Sequence, residues 1–151
     1  MMTLRPAVPA DRDALTAFLR GADLTLSGLD SPSVYLWIAP DTDGTIAATT
    51  GFELSADGHD ALLRSVAVRE DGRRAGTGSA LARHAIERAA ERGARRAWLF
   101  SRRSGPFWRT LGFEAADRYE LARRLPDTHQ VRLFAETGQL DREVAWRRRL
   151  P

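Results

Sequence analysis

Apolar residues in this chain follow two different periods, and the points where the period changes mark its elements. Val34–Ala39 (VYLWIA), Thr45–Leu54 and Asp60–Val68 are rich in β-branched, aromatic and aliphatic residues and predict three strands. Turn residues Pro40–Gly44 separate the first pair, and Asp57-Gly58 marks a hairpin between the second and third. The three form a predicted antiparallel meander. From about Thr77 to Arg92 the period becomes helical. Gly78, Leu81, Ala82, Ala85, Ile86 and Ala89 make one apolar stripe, and Gly93 stops it. Ala97–Phe100 is then a buried strand. A strand, a crossover helix and a strand imply a parallel pair with a right-handed connection.

The flanks complete an α+β pattern. Thr3–Arg5 predicts a short first strand, and Pro9 opens a helix with Ala14, Leu15, Phe18 and Leu19 on one face and a stop at Gly21. Residues 22–33 read as a loop or a short second helix. Pro106–Leu111 predicts a short helix, Tyr119–Arg124 and Thr128–Ala135 two more, and Glu143–Leu150 a final strand. The expectation is one domain over residues 1–151, a mixed sheet with helices on both faces. A two-residue turn at Asp57-Gly58 sets Glu53 opposite Leu62 and Gly51 opposite Arg64. Glu53, Leu62 and Arg64 then share a face, with Glu53 diagonal to Arg64, provided no bulge intervenes.

Composition narrows the chemistry. The 151 residues contain no cysteine, which excludes a disulfide, a thiolate metal site and a cysteine nucleophile. All 23 basic side chains counted are arginine, against 20 acidic ones, for a formal net charge of +3. The densest clusters (Arg95-Arg96, Arg102-Arg103, Arg123-Arg124, Arg147-Arg148-Arg149) are short and scattered. They read as solvated surface rather than a nucleic-acid track. No apolar run approaches the roughly 20 residues that span a bilayer, and the N-terminus lacks a signal-peptide pattern. A soluble cytoplasmic protein without nucleic-acid or membrane partners is expected. His59, His84 and His129 lack the spacing of a metal or Ser/His/Asp site, so no metal is expected. Val144 and Trp146 on the last strand are compatible with a homodimer.

The segment Leu62–Gly78 (LLRSVAVREDGRRAGTG) carries the strongest chemical signal. Glycines between a strand end and a helix start leave backbone N–H groups open, where the helix dipole is positive. That suits a pyrophosphate. A Gly-Lys-Ser/Thr sequence is missing, and Leu81 stands where a dinucleotide fingerprint needs its third glycine. Taken alone, the loop reads first as an ordinary strand–loop–helix connection.

Three features in order change that balance: Val66-Ala67-Val68, four residues, then RRAGTG; Leu81 on the helix after it; and Phe107-Trp108-Arg109-Thr110-Leu111-Gly112-Phe113. With the opening LRPAVPADRDAL, they resemble the GNAT family of acetyl-CoA-dependent N-acetyltransferases over about Thr3–Phe113. LLRSVAV with GPFWRTLGF resembles that family's arsenic-resistance-type branch more than its ribosomal-protein branch. The resemblance implies a GNAT-like mixed sheet of six to seven strands and direct acetyl transfer from acetyl-CoA to a primary amine of a small molecule. It implies that Val66, Ala67 and Val68 pair their backbone with the pantetheine arm. Arg73, Arg74, Ala75, Gly76, Thr77, Gly78 and Ser79 would wrap the pyrophosphate. Phe107 belongs to core and cofactor wall together, and Trp108 flanks the thioester arm. Trp108 stands where many relatives carry a tyrosine acid, so Ser101, Ser104 or Tyr119 are candidates for that role. A backbone N–H near Val66 or Ala67 would hold the oxyanion. Glu53 is the candidate base and Arg64 the candidate clamp for a substrate anion. A Glu53–Arg64 salt bridge is an equal reading, and a bound pair frees neither. The alternative function is a CoA- or acyl-CoA-binding module that does not catalyse.

Overall fold

The computed structural model describes residues 2–70 and 76–151. Seven strands form one sheet in the order β1-β2-β3-β4-β5-β7-β6. They are β1 (Arg5–Pro6), β2 (Val34–Pro40), β3 (Ile46–Leu54), β4 (Asp60–Val68), β5 (Arg96–Phe100), β6 (Glu114–Ala116) and β7 (Ala145–Arg149). The helices are α1 (Arg12–Gly21), α2 (Thr77–Glu91), α3 (Gly105–Thr110), α4 (Arg118–Arg124) and α5 (His129–Thr137). The meander β2-β3-β4 is antiparallel, and β4 and β5 form the one parallel pair. The mixed α+β architecture therefore agrees with the sequence reading. Residues 22–33 hold turns and no helix, and β6 is a strand the pattern did not announce, too short at three residues to show a period.

Alternation along the strands divides the core into two layers. Phe52, Ala61, Leu63, Ala97, Leu99 and Trp146 face α2 and α3, packing on Ala82, Ala85, Ala89 and Trp108. On the opposite face, Leu62, Trp98 and Ala145 meet Leu121 of α4, Leu125 just after it and Val131 of α5. Leu36 and Ile38 meet Leu15 and Leu19 of α1 on that side. Of the two predicted stripes, Leu81, Ala82, Ala85, Ile86 and Ala89 of α2 and Leu15 and Leu19 of α1 are buried, whereas Ala14 is exposed. β7 lies between β5 and β6, and Trp146 is buried, so the last strand offers no free edge. Val144 remains exposed. Among the described residues no helix is long and apolar enough to cross a membrane.

The β3–β4 register matches the count from Asp57-Gly58: Glu53 faces Leu62 and Gly51 faces Arg64. A bulge does occur, but beyond that stretch. From Gly51↔Arg64 to Thr49↔Ala67, β3 advances two residues while β4 advances three. Ser65, with φ at 60°, takes up the extra residue. Its carbonyl, displaced from the ladder, accepts from Thr49 Oγ1 at 2.6 Å, so the irregularity is satisfied internally.

Candidate functional site

The bulge and the end of β4–β5 pairing coincide. β4 and β5 pair at Asp60↔Arg96, Ala61↔Ala97 and Leu62↔Trp98, and pairing stops there although both strands continue. Asp60 pins the closed end: its Oδ1 accepts from Trp98 Nε1 at 2.8 Å and Arg96 Nε at 2.9 Å. Beyond Leu62 the strands diverge and leave a wedge. Arg69 N–H donates to Ala47 O at 2.9 Å, on the β3 side. By alternation Val66 and Val68 turn their N–H and C=O groups to the other side, along the wedge. Ala67 turns toward β3, so Val66 and Val68 are the residues whose backbone is open to an extended ligand.

The wedge leads to the N-terminus of α2. Gly76 is its N-cap, at φ 87°, with no side-chain cap hydrogen bond. Among the described residues, its chain neighbours aside, nothing lies within 4 Å of a Cβ built on Gly76. Thr77, Gly78 and Ser79 supply the first-turn amides, which have no acceptor inside a helix. Arg73, Arg74 and Ala75 lie outside the described residues. Thr50 Oγ1 donates to Leu81 O at 2.8 Å and ties this helix start to β3. A Cβ on Gly78 would lie 3.5 Å from the Phe107 ring, so α3 walls the first turn of α2. Two motifs nearly thirty residues apart in sequence thus meet at one place.

Trp108 is buried between Phe107 and Phe113, with ring centroids at 4.9 and 5.4 Å, in the α2–α3 core layer. Ser101 follows β5 and its Oγ accepts from Ser104 N–H at 3.1 Å in the turn into α3. Tyr119 is exposed and donates to Asp141 Oδ1 at 2.6 Å, on α4.

Glu53 and Arg64 form the buried pair. Arg64 Nη1 donates to Glu53 Oε2 at 3.0 Å, Nη2 to Thr25 O at 3.0 Å and Nε to Ser65 Oγ at 3.3 Å. Glu53 Oε1 accepts from His129 N–H at 2.6 Å and Oε2 from Gln130 N–H at 3.2 Å. The carboxylate therefore occupies the N-terminus of α5 as well as the guanidinium. Burial pulls the Arg64 guanidinium below its ordinary pKa, and the Glu53 charge pulls against that. In this arrangement neither group is free to take a proton or to clamp a substrate anion. Instead they join β3, β4, α5 and the loop 22–33. The sequence reading missed Thr25 and Gln130, which complete this network. A polar Gln130 one helical turn before Phe134, on a buried stripe, was the available signal.

No group of three or more His, Asp or Glu placed to hold a metal occurs among the described residues. Comparisons with known proteins point one way. The family profile for the acetyltransferase (GNAT) family matches residues 8–113. Among curated proteins, no match was found. Among solved structures, N-acetylglutamate synthase from Neisseria gonorrhoeae, complexed with coenzyme A and N-acetyl-glutamate, superposes with TM-score 0.78 at 18% identity. That match covers 100% of this chain and 35% of the synthase, so the chain spans about a third of that enzyme. A GNAT-family acetyltransferase from Staphylococcus aureus Mu50 superposes with TM-score 0.76 at 15% identity, covering 100% of both chains. Rv2747 from Mycobacterium tuberculosis, solved in complex with CoA, gives TM-score 0.71 at 15% identity over 99% of each chain.

Proposed function

The chain belongs to the acetyltransferase (GNAT) family, and from that premise we propose that it moves an acetyl group from acetyl-CoA directly to a primary amine of a small molecule. The observation that carries this reading is the wedge: β5 leaves β4 after Leu62, and the exposed backbone of Val66 and Val68 runs toward the uncapped start of α2. The residues present fit the co-substrate. Val66 and Val68 offer a strand edge to the amides of a pantetheine arm. Gly76, Thr77, Gly78 and Ser79 offer the N–H groups of a helix start to a pyrophosphate. Arg73, Arg74 and Ala75 are assigned to the same phosphates, and Ala67 to the strand segment. When bound, the thioester supplies an activated acyl carbon.

In the reaction the amine lone pair forms the C–N bond, the C–S bond breaks, and the sulfur leaves with the electron pair. Of the Val66 and Ala67 amides, we assign the developing oxyanion to the N–H of Val66, the one that alternation turns away from β3. Ser101, at the end of β5, has its Oγ lone pair occupied by Ser104 while its hydroxyl proton is available for the departing sulfur. A thiol of pKa about 8.5 needs little help to leave, which is consistent with Trp108 in place of a tyrosine acid. Because Glu53 is held by Arg64 and α5, we assign the loss of the amine proton to water, with Glu53 and Arg64 as positioning residues. An α-amino group of pKa about 8 is partly neutral at pH 7 without an enzymic base.

Isothermal calorimetry with acetyl-CoA, followed by thiol release across an amine panel, tests this. Saturable binding and turnover are expected. The rate should rise with pH along each amine's own titration. A single enzymic pKa shared by all amines would return the base role to Glu53. Binding without turnover of any amine favours a non-catalytic CoA-binding module, and no binding at millimolar acetyl-CoA removes the reading.

A further inference from the structure

A second recess lies away from the wedge. Ala7, Leu15, Leu29, Val34 and Leu36 floor a groove of about 270 Å³ between the start of α1, the end of the loop 22–33 and β2. Strands β3 and β4 stand between β2 and the wedge, so this is a different place on the molecule. Both walls are fixed by backbone hydrogen bonds. Ala7 N–H donates to Leu36 O at 2.9 Å and holds the chain before α1 against β2, and Asp11 N–H closes its turn on Val8 O at 2.9 Å. Ser31 N–H donates to Gly28 O at 2.9 Å and Val34 N–H to Ser31 O at 3.2 Å, which shape the loop. Pro9 and Pro32 stiffen the two sides. Leu29 and Val34 are only half-buried, so apolar surface is left unfilled inside.

The groove carries one cation and one anion that do not meet. Arg12 comes from the first turn of α1 and Asp30 from the loop, and both are exposed. Among the described residues neither has an ion pair or a side-chain hydrogen bond. Asp11, next to Arg12 in sequence, is already engaged: its two oxygens hold Arg5 at 2.9 and 3.0 Å, and Oδ2 accepts from Val8 N–H at 2.8 Å. Arg12 also stands at the helix end where the dipole disfavours a cation. An unpaired guanidinium beside unfilled apolar surface is matched by a carboxylate from outside, which its planar fork can hold through two hydrogen bonds. We propose that this groove binds a zwitterionic aliphatic amino acid of about leucine's size. Its carboxylate meets Arg12, its ammonium meets Asp30, and its side chain covers Leu29 and Val34. The volume lies below the ~300–1,000 Å³ of drug-sized sites, which suits an amino acid and is too small for a nucleotide. This site does not rest on the acetyl-transfer reading.

The test uses the full-length protein with L-leucine as the probe. Calorimetry should show saturable binding at millimolar ligand, with or without CoA. Two analogues divide the contacts on the unaltered protein: isocaproate lacks the ammonium and isopentylamine lacks the carboxylate. Each should bind about tenfold more weakly or worse, the loss expected for a hydrogen bond to a charged group. Arg12→Met and Asp30→Asn should each weaken L-leucine binding to the same degree, with thermal melts and acetyl-CoA affinity unchanged. In nuclear magnetic resonance spectra the methyl signals of Leu29 and Val34 should move when L-leucine is added. Failure to saturate, or affinity that survives either variant or either analogue, overturns the proposal. Movement at Val66 and Val68 in place of Leu29 and Val34 seats the amino acid in the wedge and overturns it too. A protein that binds L-leucine here but never acetyl-CoA keeps the groove and loses the acetyltransferase reading.

Discussion

Two helix starts in this protein face the same electrostatic problem and meet it in opposite ways. α5 begins at Thr128, whose Oγ1 accepts from Val131 N–H, and the Glu53 carboxylate covers the N–H groups of His129 and Gln130. Its positive end is filled by the protein's own anion. α2 begins at Gly76, with no side-chain cap among the described residues. Its positive end has no such carboxylate among the described residues. Exposed amides at a helix start attract an anion wherever it comes from. The contrast separates a terminus used to build the fold from one that the proposed function keeps for a ligand.

The comparison breaks most severely at Glu53. Glu53→Ala leaves a buried guanidinium and two helix amides without their carboxylate and should cost about 3–5 kcal/mol, read by urea unfolding. Glu53→Gln keeps an acceptor for the amides and should cost less; equal losses would mean that the α5 contacts contribute nothing. Next comes Gly76→Glu. A carboxylate at the open start imitates what Glu53 does at α5, and acetyl-CoA affinity should fall about a hundredfold or more by calorimetry. Gly76→Ala is the control, because it carries the same left-handed strain, of order 1 kcal/mol or more, without the charge. Similar affinities for the two variants would show that the terminus does not bind phosphate. Thr128→Ala removes the hydroxyl cap and should cost about 1 kcal/mol, with acetyl-CoA affinity unchanged.

The smallest effect lies along α2 rather than at its start. His84 packs edge-on against Trp37 at 5.1 Å, and burial and Arg88 hold its pKa below the usual histidine value. The unfolded chain therefore binds more protons just below pH 6.5, so this contribution is complete above that pH and declines as pH falls through it. His84→Phe should flatten that slope in thermal melts without altering acetyl-CoA binding.

Much of this was legible in the chain and some was not. Local rules sufficed for α2, whose stripe is uninterrupted, and for the β3–β4 register, which Asp57-Gly58 sets two residues at a time. The glycine loop and the Phe107–Phe113 motif announced neighbouring walls, and the Gly78–Phe107 contact joins them. The fate of Glu53 was beyond such rules. Its diagonal to Arg64 follows from hairpin geometry, but its contact with α5 spans 76 residues of sequence, and nothing near Thr128 signals a distant carboxylate. Thr25 escaped for the same reason: it meets Arg64 through a backbone carbonyl, which any residue possesses, and its hydroxyl meets Gln130 from 105 residues away. Short β6 escaped because three residues cannot display a period.

The extra residue at Ser65 also has an arithmetical consequence. Even-numbered Leu62 and Arg64 point into the α4–α5 layer, while even-numbered Val66 and Val68 pack among residues of the α2 side. One unbroken stretch of chain thus changes phase midway and furnishes both halves of the interior. Excising a single position there would restore strict parity and turn both valines toward the wrong layer. The frame of this strand, counted one residue at a time, is therefore as much a determinant of the molecule as the identity of the letters in it.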